Sequence, residues 1–345
     1  MHATCTGTPT AQEALLVVQG STSLILAGVT DARYPQQICA FTGSWSAQMV
    51  TQTMVSWSAT KGSPGNPGDS VIAVLDLFTG ASTVVAAWTG GGLMDGLHSW
   101  SPDRGFMAYT TSDLSGVHLH LLSAGGDRVV AIMGPVAGRG VNPNDDDAFL
   151  GFSPDGSYLA FVQTFTSSGD QVQIRKTTDG TLVYSNAAGT MATWGSTGSK
   201  LYFRQPNGTP VSVWDPSRGV AQVYGAPVPW IRPRVAAGAD LLTVTYREAN
   251  GTPQVWLYGG EVSGQTITWP NPRSSPVFLN TTTIFYVEEA PCGVNCGPGQ
   301  AIYPDGQTFT FDIGRGAPVG GVQNMNEDLS RITKVLGTWP RPGQA

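Results

Sequence analysis

Charge is the first scarcity in this sequence. Only 12% of its 345 residues are Asp, Glu, Lys or Arg, against ~25% in an average soluble domain. The surface must then be built largely from Ser, Thr, Gly, Asn and Gln. The 18 basic residues form no cluster, and the formal net charge is −6. Binding to a phosphate backbone needs a basic patch, so nucleic acid is excluded as a partner. Long apolar runs are missing too. None reaches ~18 residues, so no helical membrane span is expected. The opening residues Met1–Cys5 carry neither the basic segment nor the apolar core of a signal peptide. Low charge and a Ser/Thr-rich surface point to a secreted or periplasmic protein whose leader is absent from the sequence.

Compact catalytic signatures are absent as well. There is no Gly-x-Ser-x-Gly elbow, phosphate loop or dinucleotide glycine pattern. Gly68-Asp69-Ser70-Val71 shares letters with a hydrolase block, but it leads into a strand and not a helix. Cysteine is scarce, with Cys5, Cys39, Cys292 and Cys296 only. Cys292 and Cys296 are spaced Cys-x-x-x-Cys, which is not the redox spacing. The expected role is a disulfide stapling one loop. Zinc is the competing reading, for which this pair would supply half the ligands. A Cys5–Cys39 bridge would tie an N-terminal arm to the ring described below, and so long a loop adds roughly 3–4 kcal/mol in the chain-entropy account.

Turn formers and strand formers are abundant: 44 Gly and 24 Pro, with plentiful aromatic and β-branched residues. Their order is periodic. Phe152–Phe161 reads as a short apolar strand, a Ser-Pro-Asp-Gly turn, and a second strand. Pro presets φ and Gly accepts positive φ, so the turn has a mechanism. Trp100–Tyr109 matches this frame without a gap. Trp194–Phe203, Val235–Val244 and Phe278–Val287 match in hydrophobic pattern. A first copy starts at Trp45, and Met325–Lys334 is a degenerate last one. Steps of 41 to 55 residues are the period of four-stranded propeller blades. Each copy supplies strands a and b of a blade. An apolar strand closed by a Gly turn follows each, as at Val71–Gly80, Val117–Gly126, Val172–Gly180, Val211–Gly219 and Thr308–Gly316. These are strands c, turning into d.

The termini complete the pattern. Met325–Lys334 has the look of strands a and b with nothing after it. Leu15–Gly28 has the look of c and d with nothing before it. The expectation is an all-β, seven-bladed β-propeller of four-stranded antiparallel blades. Its last blade combines N-terminal strands c and d with C-terminal strands a and b. Residues 1–345 form one domain: an arm over 1–13, the ring over 14–335 and a tail over 336–345.

The Ser-Pro-Asp-Gly frame at 100–109 and 152–161 resembles the TolB-type, WD40-like PD40 propeller repeat of bacteria. The likeness covers about residues 45–335. It implies the fold and little about function, since that family includes partner-binding modules, propellers attached to peptidases and some lyases.

Strand order places the d–a and b–c loops on one face. Residues just before each strand a approach the mouth of the central channel. The candidate ligand-binding residues there are Tyr34, Asp95, His98, Trp230, Arg232 and Arg273. His98, Tyr34 and Arg232 are the weak catalytic candidates, with His98 as the one histidine suited to a general base. Asp145, Asp146 and Asp147 could hold Ca²⁺, which takes six to eight oxygens, although an acidic solvated turn fits the same residues. No other cofactor is expected. His118 and His120 lie two apart on a c strand and share a face, without an evident third metal ligand. The function expected is non-catalytic binding of a peptide, protein or glycan at this face. The alternative is a polysaccharide-directed hydrolase or lyase at the channel mouth.

Overall fold

The computed structural model describes residues 44–51, 53–60, 68–76, 79–90, 95–133, 149–163, 171–187, 189–204 and 211–222, and elsewhere the strands named below. Side chains are described within 47–221. Among the described residues there are 29 strands in seven antiparallel sheets.

The chain begins with β1 (Ala3–Cys5), β2 (Ala14–Gln19), β3 (Ser23–Gly28) and β4 (Pro35–Phe41). These join β29 (Ile332–Trp339) in a five-stranded sheet of order β1-β4-β3-β2-β29. Six four-stranded sheets follow in sequence. The first holds β5 (Ser44–Met49), β6 (Met54–Thr60), β7 (Gly68–Asp76) and β8 (Ser82–Gly90). The second holds β9 (His98–Trp100), β10 (Phe106–Asp113), β11 (Gly116–Ser123) and β12 (Gly126–Met133). The third holds β13 (Phe149–Phe152), β14 (Tyr158–Gln163), β15 (Gln171–Lys176) and β16 (Leu182–Asn186). In the fourth are β17 (Thr190–Trp194), β18 (Leu201–Arg204), β19 (Val211–Asp215) and β20 (Gly219–Gln222). In the fifth are β21 (Arg232–Val235), β22 (Leu242–Arg247), β23 (Pro253–Tyr258) and β24 (Gln265–Ile267). The last has β25 (Arg273–Phe278), β26 (Thr283–Glu288), β27 (Thr308–Asp312) and β28 (Ala317–Val322).

Each four-stranded sheet is a meander, its strands hydrogen-bonded in chain order. The leading strands lie against one another in succession, β29 on β5, β5 on β9, and so on to β25. The sheets therefore stack side by side around their first strands, as propeller blades do.

Alternation along each strand fills the space between sheets. On β14, Leu159 and Phe161 join Leu119 and Leu121 of the second sheet in one cluster. The intervening Ala160 and Val162 join Trp194, Leu201, Phe203 and Trp214 of the fourth sheet in another. A period of two sends successive side chains to opposite faces, so a strand with neighbours on both sides reads as nearly continuous apolar sequence.

The Ser-Pro-Asp turns close through side-chain hydrogen bonds. Ser153 Oγ donates to Asp155 Oδ1 at 2.6 Å, and Ser157 N donates to that same oxygen at 3.1 Å. Tyr158 N donates to Ser153 Oγ at 3.0 Å. Ser101 and Asp103 repeat the arrangement, with Ser101 Oγ to Asp103 Oδ1 at 2.6 Å and Phe106 N to Ser101 Oγ at 2.9 Å. The fourth turn residue takes positive φ in both copies, 73° at Gly156 and 61° at Arg104. On the outer side, Gly180 packs against the neighbouring sheet so closely that a Cβ would meet Val130 Cγ1 at 2.5 Å. Arg175 fastens that contact, its Nη1 donating to Val130 O at 2.9 Å and Gly180 O at 2.8 Å.

Two expectations require correction. The terminal sheet is not divided evenly between the chain ends. Among the described residues it takes one C-terminal strand, β29, and the N-terminal β2, β3 and β4, with β1 added at the edge. β29 pairs directly with β2, Ala14 opposite Trp339 and Leu15 opposite Thr338. The sequence hid β4 because it opens Pro-Gln-Gln, which lacks alternation, as outer strands are free to do. The disulfide expectation is also overturned. Among the described residues the structure has no disulfide-forming cysteine pair. Cys5 stands opposite Cys39 in the β1–β4 ladder, where Ala3↔Phe41 and Thr4↔Ala40 hold the segment by backbone pairing. The N-terminal segment is thus tethered as a strand. Cys292 and Cys296 lie outside the described residues, in the β26–β27 connection.

Candidate functional site

Three of the expected mouth residues occupy equivalent backbone positions. His98, Arg232 and Arg273 are each the first residue of a leading strand, β9, β21 and β25 respectively. The connection before a leading strand comes from the last strand of the previous sheet, so all three lie where the chain enters a sheet from its outer edge. Tyr34, Trp230 and Asp145–Asp147 lie outside the described residues. The strand that follows Tyr34 is β4, which is an outer strand.

His98 and Asp95 are fully buried. Asp95 Oδ1 accepts hydrogen bonds from Ser112 N and from Ser112 Oγ, the latter at 2.8 Å. This ties the entry loop to the far end of β10. The loop also extends the ladder, with Gly96 N donating to Thr110 O at 2.8 Å and Thr110 N to Leu97 O at 2.9 Å. His98 Nδ1 lies 3.0 Å from Gly96 O, and its Nε2 lies 2.8 Å from Ser56 Oγ on β6. A carbonyl only accepts, so Nδ1 carries the proton and Ser56 donates to Nε2. A buried hydroxyl–imidazole pair of this kind could serve acyl transfer only if substrate reached it. Both residues have 0% relative exposure, and the pair instead pins the second sheet to the first. Ser70, in the hydrolase-like tetrapeptide, is likewise buried, within β7.

A second polar cluster was not anticipated as a site. His120 stacks on Tyr109, ring centroids 4.5 Å apart at 20°. Its Nδ1 is 3.1 Å from Asp127 Oδ2, and its Nε2 is 3.0 Å from Thr111 Oγ1. Tyr109 donates its hydroxyl to the same Asp127 oxygen. Burial first, then that hydrogen bond and the negative charge of Asp127, push the Tyr109 hydroxyl well above its ordinary value. His118 has a different surround. Ser115 Oγ reaches its Nε2 at 3.1 Å, and Asp113 Oδ1 reaches the same nitrogen at 3.4 Å. The pair of histidines at i and i+2 was legible in sequence. The partners of His120 depend on register, which sets Tyr109 directly opposite it and Thr111 on the diagonal, and spacing alone does not provide that. Among the described residues, no three His, Cys, Asp or Glu side chains converge as a metal site.

No protein-family model matches the chain, and no curated protein matches it. Solved structures do. A prolyl endopeptidase shares 14% identity over 92% of this chain and 49% of its own, with a TM-score of 0.58. Prolyl oligopeptidase B from Galerina marginata shares 12% over 98% of this chain and 51% of its own, at 0.56. The β-propeller domain of the Trilobed protease from Pyrococcus furiosus shares 10% over 78% of this chain and 80% of its own, at 0.53. The likeness is one of fold. It is a β-propeller-like architecture similar to peptidase propeller domains, and the chain spans about half the length of the prolyl endopeptidase and of prolyl oligopeptidase B. The comparisons show the propeller-like fold and do not show the PD40 repeat family for this chain.

Proposed function

We propose that this protein is a single, seven-bladed β-propeller domain that binds a peptide or protein segment at the face carrying the d–a and b–c connections. Seven side-by-side sheets and the β2–β29 pairing of the two chain ends support the closed ring. Low charge supports an extracytoplasmic setting. One observation carries the binding face: Arg232 and Arg273 open the leading strands of adjacent sheets. Two arginines at equivalent strand starts suit a ligand that carries a carboxylate, since arginine recognises carboxylates by charge-assisted hydrogen bonds. The ligand is therefore a segment with an acidic side chain or a free C-terminus. The histidine and aspartate do not favour catalysis there, because His98, at the start of β9, and Asp95, in the loop before it, are both buried.

The test is a peptide array scored for acidic and C-terminal motifs, followed by calorimetry on the best peptide. R232Q combined with R273Q should weaken that peptide about 10-fold or more, by loss of charge-assisted bonds worth ~1.5–3 kcal/mol each. Unchanged affinity in the double variant, or ligands found only on a parallel glycan array, would overturn the reading.

A further inference from the structure

Thr111, His120 and Asp127 lie on β10, β11 and β12, three adjacent strands of one sheet. Hydroxyl, imidazole and carboxylate follow one another at 3.0 Å and 3.1 Å, through opposite nitrogens of the ring. The carboxylate accepts from Nδ1, which leaves the Nε2 lone pair facing the Thr111 hydroxyl. That order, with the base held by a third group, is how a side-chain hydroxyl is made nucleophilic.

The other two hydroxyl–histidine pairs of the same region lack this arrangement. Ser56 and His98 are sealed from solvent, and a backbone carbonyl occupies the far nitrogen. At His118, Ser115 and Asp113 converge on a single nitrogen, so no proton relay passes through the ring. The His120 side chain is 15% exposed and Asp127 38%, and Thr111 is half-buried. Tyr109 also favours the relay. Its ring face lies on His120 and can stabilise an imidazolium by cation–π attraction.

We propose that Thr111, His120 and Asp127 form a nucleophilic site that takes an acyl group from a small, uncharged ester. The substrate class follows from the surroundings, where Trp88, Val85 and Leu122 pack about the cluster containing Tyr109. Thr111 Oγ attacks the ester carbonyl carbon while its proton passes to His120 Nε2. The carbon–oxygen bond to the leaving group breaks, and the departing alkoxide takes that proton as an alcohol. Thr111 is left as an ester. Water then gives a proton to His120 and attacks this ester, which releases the carboxylic acid and restores the Thr111 hydroxyl. Asp127 positions the ring throughout, and no oxidant, reductant or co-reactant beyond water is needed.

The test uses the full chain and p-nitrophenyl acetate. The wild type should release p-nitrophenolate above the buffer rate. An acid-quenched digest should carry the acetyl group on Thr111. T111V and H120N should lower release by about 10²-fold or more, T111S should retain it, and D127N should lower kcat with KM little changed. Melting curves establish that each variant is folded, and acetyl mapping on the wild type is independent of every variant. Release by folded T111V at the wild-type rate, acetylation confined to lysines, or no release above buffer would overturn the proposal.

Discussion

Arg104 and Gly156 fill the same position in two copies of one turn, and only one of them suits it. Both have positive φ, a region that costs a residue with a Cβ about 1–2 kcal/mol and glycine very little. Arg104 is tolerated because the turn around it is over-determined. Ser101 N, Ser101 Oγ and Gly105 N are all hydrogen-bonded within five residues. R104G should therefore raise stability by about 1 kcal/mol in urea unfolding, part of the gain being offset by the freer unfolded chain. G156R should do the reverse, although space is available: the nearest atom to a Cβ there is Pro102 Cδ at 3.8 Å. The cost would come from the backbone. These turns were legible in sequence because their cause is local, a Ser that caps, a Pro that fixes φ and an Asp that gathers amides. The buried roles of His98 and Asp95 were not, because Ser56 and Ser112 are supplied by strands 42 and 17 residues away.

Turns of neighbouring sheets are also joined to one another. Asp155 Oδ2 accepts a hydrogen bond from Ser199, in the equivalent turn of the fourth sheet. Burial is the largest single influence on the Asp155 carboxyl and pushes it up, but the bonds from Ser153, Ser199 and Ser157 together hold it below its ordinary value. A depressed carboxyl contributes stability above the unfolded value of about 3.9 and loses it as pH falls through the folded value. The wild type should therefore exceed D155N by about 1 kcal/mol at pH 6. That gap should close as pH falls from about 4 towards 2, which melting temperatures of both proteins across this range would check. Equal pH dependence in the two would mean that the Asp155–Ser199 link carries no stability. Element by element, strands a, b and c announced themselves through apolar runs between turn residues. β4 and β29 did not. Their place is decided by which edges remain unpaired once the other sheets have formed, and no window of sequence contains that information.

Pairing of the two chain ends is the property that belongs to the molecule and to none of its parts. Six sheets are each complete within 33 to 50 consecutive residues, and local pairing suffices for them. The terminal sheet instead joins Ala14–Gln19 to Ile332–Trp339, across nearly the whole chain. Its loop-closure entropy is recovered only when the intervening sheets are already stacked. β29 also lies against β5, so it touches both its own sheet and the next. Truncation before Ile332 would expose the β2 edge, the kind of unpaired edge that templates association. The truncated chain should unfold at lower urea with a broader transition, and light scattering should detect oligomers that the intact chain does not form. A monomeric truncation with an unchanged midpoint and slope would mean that the sheets stand without the β2–β29 ladder. The binding face would then have to be argued from each sheet alone, because its loops converge only if the stack closes on itself.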